Sequence, residues 1–90
     1  MKHIVDEVIF VYNIIISEVD LMQICYNKLW KLLIDKGMTR TQLRKTAHIG
    51  TNVLAKMGKN EFVSMEILAK ICEVLECDIG DICEFIKKGL

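Results

Sequence analysis

Residues 39–57, TRTQLRKTAHIGTNVLAKM, decide how this chain folds. Thr39 is followed three residues later by Gln42, the spacing of a capping box, in which the Thr hydroxyl and the Gln amide satisfy opposite ends of one opening turn. A helix therefore begins at about Arg40. Leu43 and Ala47, spaced i, i+4, give it one inward face, and the period breaks at His48-Ile49-Gly50 before another opens with Val53, Leu54 and Met57. The stretch reads helix, turn, helix. Gly58 suits a left-handed cap that ends the second helix, and Lys56 places a cation in its last turn, where it complements the dipole.

A helix of two turns is marginal alone and is held by packing. Upstream, Tyr26, Leu29, Trp30 and Leu33 form an apolar stripe at i, i+3, i+4, i+7 that ends before Gly37. Downstream, Ser64 is placed to cap a helix with Leu68, Ile71, Cys72 and Leu75 on one face. Asp78 is placed to cap a last one carrying Ile79, Ile82, Cys83 and Ile86. The expectation is a compact all-α domain of five helices over residues 22–90, with no strand needed.

Charge is sorted along the chain although its formal sum is zero. Residues 22–60 hold eight basic side chains against one acid, Asp35, while residues 1–21 hold one Lys against four acids and residues 61–90 three Lys against seven. A positive motif between negative flanks can meet phosphate on one face and avoid nonspecific adhesion on the others. A solvated Lys-rich helix surface would show the same charge.

From Met22 to about Ile86 the chain resembles the Cro and lambda-repressor type of helix-turn-helix domain, the XRE family of regulators, in its small single-domain form. The phrases that carry the resemblance are YNKLWKLLIDKGMT, TQLRKTAHIGTNVLAKM and VSMEILAKICEVLECDIGDI. The resemblance implies that the second motif helix enters the major groove, with Thr51, Asn52 and Lys56 at the positions that touch base edges and Arg40 at one that holds a backbone phosphate. It also implies a dimer on a two-fold operator with half-sites about one helical turn apart. Three positions depart from the family pattern: Arg44 stands where a small residue is common, His48 where the turn favours Gly, and Gly50 where Ser or Thr usually caps. Histidine is among the better tolerated residues in a left-handed turn, and Gly is an acceptable cap.

The chemistry of these side chains fits that role. Asn52 can pair with N6 and N7 of adenine, Lys56 can donate to guanine O6 or N7, and the Thr51 methyl can sit against a thymine methyl. Lys45 and Lys59 join Arg40 as expected phosphate contacts, which position a domain without reading sequence. Taken alone, Thr51 and Asn52 are also what the polar start of any short surface helix looks like.

Ninety residues, 52% of them apolar, support one small core and leave little interior for an enclosed catalytic pocket. Ser17, Ser64 and the four cysteines lack a paired His, and no glycine-rich phosphate loop is present, so an enzyme is not expected. Cys25, Cys72, Cys77 and Cys83 contain no C-x-x-C pair, and only His3 and His48 could add nitrogen ligands. No metal or cofactor is expected. Cys72 and Cys83 fall on apolar stripes as small hydrophobes, which leaves Cys77, beside Asp78, as the most exposed thiol by this reading. Reduced thiols and the lack of an export signal point to the cytoplasm.

Residues 1–21, MKHIVDEVIFVYNIIISEVDL, form an apolar, β-branched extension that favours strand and is too short in its apolar run to span a bilayer. It reads as a dimerising strand, as a helix laid over the domain, or as an upstream extension with Met22 the natural start. The competing function is a protein-binding adaptor or antitoxin-like module that meets its partner through this segment or the acidic last helices. Polar Thr51 and Asn52 with basic neighbours favour double-stranded DNA.

Overall fold

The computed structural model describes residues 22–87. The expectations for residues 1–21 lie outside the described residues.

Strand β1 (Met22–Cys25) leads into α1 (Asn27–Asp35), α2 (Arg40–Thr46), α3 (Thr51–Gly58) and α4 (Met65–Leu75). A 3-10 turn (Ile79–Asp81) and strand β2 (Glu84–Lys87) complete the order. The helix limits follow from local chemistry. Thr39 and Gln42 form the capping box of α2, with Gln42 N–H to Thr39 Oγ1 at 3.1 Å and Thr39 N–H to Gln42 Oε1 at 2.8 Å. Ser64 Oγ accepts from Ile67 N–H at 3.2 Å and opens α4. Gly37, at φ 65, takes the left-handed conformation that turns the chain after α1.

The apolar stripes converge on one core. Tyr26, Leu29 and Leu33 from the first stripe, Leu43 from α2 and Ala47 at its C-cap, and Met57 from α3 are buried, as are Leu68, Ile71 and Leu75 from α4. Val53 packs against this core half-buried. Ile49, in the turn between α2 and α3, is 4% exposed and anchors that turn. His48 just before it is left-handed, at φ 55, as the turn requires.

Two expectations fail. Among the described residues four α-helices are present rather than five, and two strands appear where none was needed. Asp78 does cap, with Asp81 as its reciprocal partner, but what it caps is a single 3-10 turn. The chain then extends, and β2 pairs antiparallel with β1 in the register Met22↔Lys87, Gln23↔Ile86, Ile24↔Phe85, Cys25↔Glu84. Of the presumed helical stripe, Ile82 is buried whereas Ile86 is exposed. Gly80 is a poor residue for continuing a helix, and pairing supplies partners for the backbone groups of both strands, which a helix at 79–86 would deny to β1. The second correction concerns the end of α3. Gly58 is its last helical residue, Lys59 follows as the cap, and the left-handed residue is Asn60, at φ 57. Asn and Gly share the ability to adopt that conformation, and Asn60 adds a side-chain acceptor.

That acceptor fastens the loop after α3. Asn60 Oδ1 accepts from the Tyr26 backbone N–H at 3.4 Å, and the Tyr26 hydroxyl donates to the Glu61 carbonyl at 2.8 Å. Tyr26 is fully buried, so its hydroxyl needs this partner. Burial, with a smaller contribution from the nearby Cys83 thiol, pushes the phenol up to about 12. Among the described residues no helix is long and apolar enough to cross a membrane.

Candidate nucleic-acid interface

Helices α2 and α3 meet across the turn at 47–50, which places the start of α3 at the surface. Gly50 is its N-cap in an extended conformation (φ −76, ψ 158) with no side-chain cap. Thr51 and Asn52 are the first two helical residues, both exposed, and Lys56 is exposed in the last turn. Asn52 and Lys56, four residues apart, share one face of the helix. Met57, on the other side, is fully buried and ties α3 to the core. A helix of eight residues is about 12 Å long. It presents a short row of hydrogen-bonding groups and little else.

The absence of a Ser or Thr cap has a geometric counterpart. A β-carbon built on Gly50 would stand 2.6 Å from Asn52 Oδ1 and 3.8 Å from its Cγ. The Asn52 carboxamide therefore occupies the space that a capping side chain would need. Glycine at position 50 leaves that space open without any demand from its own torsions, which any residue can adopt.

Arg40, the first residue of α2, is held from two sides. Its guanidinium carbon lies 3.7 Å from the centre of the Trp30 ring on α1, a cation–π stack. Its Nη1 lies 3.8 Å from where a β-carbon on Gly58 would be, so it also borders the C-terminal end of α3. Lys59 follows at that same end. Lys45 lies in the last turn of α2, before the turn that leads into α3. The structure thus groups Arg40 with Lys59 at one end of α3 and leaves Lys45 toward the other, with Thr51 and Asn52 at its start.

Trp30 is the residue that sequence reasoning assigned to packing alone. It is half-buried against the core while its ring supports Arg40. An aromatic residue ten positions ahead of a motif arginine is no signal by itself, since only the tertiary fold brings the two side chains together. Lys28, counted among the basic side chains of the motif region, is directed elsewhere. Its ammonium donates to the Gly80 carbonyl at 3.2 Å and pairs with Glu84 at 3.9 Å.

Among the described residues no group of three or more His, Cys, Asp or Glu side chains is placed to hold a metal ion. All four thiols are free. Cys25 is buried, and Cys72, Cys77 and Cys83 are all half-buried, so Cys77 does not stand apart as expected.

Comparison with known proteins agrees with this geometry. The family described as a Cro/C1-type HTH DNA-binding domain matches over residues 28–88. Among solved structures, the crystal structure of the transcriptional regulator VanUg (Form II) is similar, with a TM-score of 0.73 and 49% sequence identity over 74% of this chain and 89% of that one. Among curated proteins, none matches significantly. The family match spans both motif helices, from the first turn of α1 to the end of β2, and it is the same family that the residue phrases resemble: the chain belongs to the Cro/C1-type helix-turn-helix DNA-binding family.

Proposed function

We propose that this protein is a sequence-specific DNA-binding transcriptional regulator that places α3 in the major groove. The observation that carries this reading is the exposed row of Thr51, Asn52 and Lys56 on the second helix of a Cro/C1-type motif, with cationic side chains at both ends of that helix. Thr51, Asn52 and Lys56 read base edges, while Arg40, Lys45 and Lys59 hold phosphates. The similar VanUg, itself a transcriptional regulator, supports the regulatory part.

One such domain meets too few bases to be selective, so the active form is a homodimer on a two-fold site. The apolar residues 1–21 serve self-association, and the protein works in the cytoplasm. Titration of a labelled duplex from its own upstream region against a scrambled one, across salt, tests the reading. With three phosphate contacts per domain and two domains, log K should fall against log salt with a slope of roughly −5 on the operator. Equal affinity for both duplexes would refute sequence-specific reading.

A second reading, an adaptor or antitoxin-like module, is favoured by one observation. Phe62 and Phe85 are exposed, with ring centres 6.3 Å apart and planes tilted by 42°, and Met65 is exposed nearby. Binding to neither duplex at low salt would make that reading the leading one.

A further inference from the structure

Helix α4 ends in a Schellman motif. Glu76 takes the left-handed conformation at φ 52, the Cys77 N–H donates to the Cys72 carbonyl at 3.1 Å, and the Glu76 N–H donates to the Glu73 carbonyl at 3.4 Å. The outer of these two bonds draws together the residues at its ends, whose side chains usually make an apolar contact. Here both are cysteines. Each is half-buried, and both line the same open groove at the end of α4. The bond also holds the two backbones within hydrogen-bonding distance, and a disulfide requires such proximity.

We infer that Cys72 and Cys77 form an oxidisable dithiol, a modification site that a hydroperoxide converts into an intrachain disulfide.

The electrostatics assign the order of attack. Burial, joined by the charge of the adjacent Cys77 and a hydrogen bond with it, pushes the Cys72 thiol up to about 11, so Cys72 is a poor first nucleophile. The Cys77 sulfur attacks one peroxide oxygen and gives up its proton. The S–O bond forms, the O–O bond breaks, and the departing oxygen leaves as water after taking a proton. Cys77 is then a sulfenic acid, oxidised by two electrons, and the peroxide is reduced. The Cys72 sulfur attacks the Cys77 sulfur next. The S–S bond forms, the S–O bond breaks, and hydroxide leaves as a second water with the Cys72 proton. Two thiols and one hydroperoxide thus give one disulfide and two molecules of water or, for an alkyl peroxide, one water and one alcohol.

Cys83 is an internal control. Its thiol donates to the Ile79 carbonyl at 3.5 Å and borders the apolar cleft of Phe62 and Phe85, not the groove shared by Cys72 and Cys77.

The test treats the full chain with hydrogen peroxide and reads intact mass and free thiols. The expected product is a monomer lighter by roughly 2 Da, the loss of two hydrogens. Reactive thiols fall from the four free cysteines to the two that remain. A reductant reverses both changes. Cleavage after Glu73, Glu76 and Asp81 puts Cys72, Cys77 and Cys83 on separate peptides, and those of Cys72 and Cys77 should remain linked until reduced. Cys83→Ser should keep the mass loss, and Cys72→Ser and Cys77→Ala should each abolish it. Peptide mapping of the unmutated protein decides the matter even where a variant folds poorly. Linkage through Cys83, linkage between chains, or addition of oxygen without loss of a thiol pair would each overturn the assignment.

Discussion

The Asn52 side-chain oxygen stands 2.6 Å from the place that a β-carbon on Gly50 would occupy. The N-cap of α3 and its second residue therefore compete for one volume, and glycine resolves the competition for Asn52. Replacing Gly50 by Ser would add a cap bond, worth a few tenths of a kcal/mol over Gly, and would force the Asn52 carboxamide into another rotamer. The expected result is an unchanged or slightly raised Tm together with altered preference at the base pair that Asn52 reads. Binding to a set of single-substitution operators measures both the site and the size of that change. An unaltered preference profile would show that the observed carboxamide position does not matter for reading.

Asn52→Ala and Lys59→Ala separate reading from holding. The first should relax discrimination at one base pair by about 1–3 kcal/mol. Loss of Lys59 should weaken operator and random duplex alike and flatten the salt slope by about one unit per domain. Equal losses from both mutants on both duplexes would remove the distinction.

The Trp30 ring beneath Arg40 gives a third prediction. Trp30→Leu should weaken binding to all sequences, because Arg40 loses the surface that holds its guanidinium in place. Trp30→Phe should lose less, since a smaller ring still offers a face to the cation. The same affinities for Leu and Phe variants, measured by fluorescence anisotropy, would mean that the stack does not orient Arg40 for phosphate.

Tyr26 predicts a pH dependence. Its pKa in the fold is raised from about 10 to about 12. The folded state thus holds the phenol proton more tightly than the unfolded chain does. This contribution is complete below pH 10 and is lost as pH rises through 12. Thermal unfolding followed by circular dichroism should show Tm falling across that interval. Tyr26→Phe should lower Tm at neutral pH through loss of the hydrogen bond to Glu61, at about 0.5–1.5 kcal/mol, and should fall less steeply above pH 10.

Lys28 supplies the contrast among the basic residues. Its ammonium lies against Gly80 and Glu84, on the C-terminal segment. Lys28→Ala should leave affinity for the operator unchanged within error and cost stability by less than about 1 kcal/mol, as exposed ion pairs do. A loss of affinity equal to that of Lys59→Ala would place Lys28 on the DNA-facing surface after all.

The caps at Thr39 and Ser64, the apolar stripes and the helix-turn-helix phrase were legible because each depends on residues within about four positions of one another. That is the range over which a helix organises itself. Thr51, Asn52 and Lys56 were legible as exposed candidates for the same reason, since their spacing on α3 fixes which side of it they share. The end of the chain was not legible. Ile79, Ile82, Cys83 and Ile86 carry a helical period, yet the partner that turns residues 84–87 into a strand is β1, at the far end of the described residues. Nothing local in that segment announces it.

The sequence by itself determined the family, the two motif helices and the order of charge along the chain, because these follow from short-range spacing and residue type. Tertiary structure alone decided that Trp30 lies under Arg40, that Tyr26 fastens the loop after α3, that Lys28 turns away, and that Cys72 and Cys77 share one groove. Each of these depends on where one element crosses or ends against another. Such placement arises from burying several apolar stripes in one core at once, a condition that no single stripe contains.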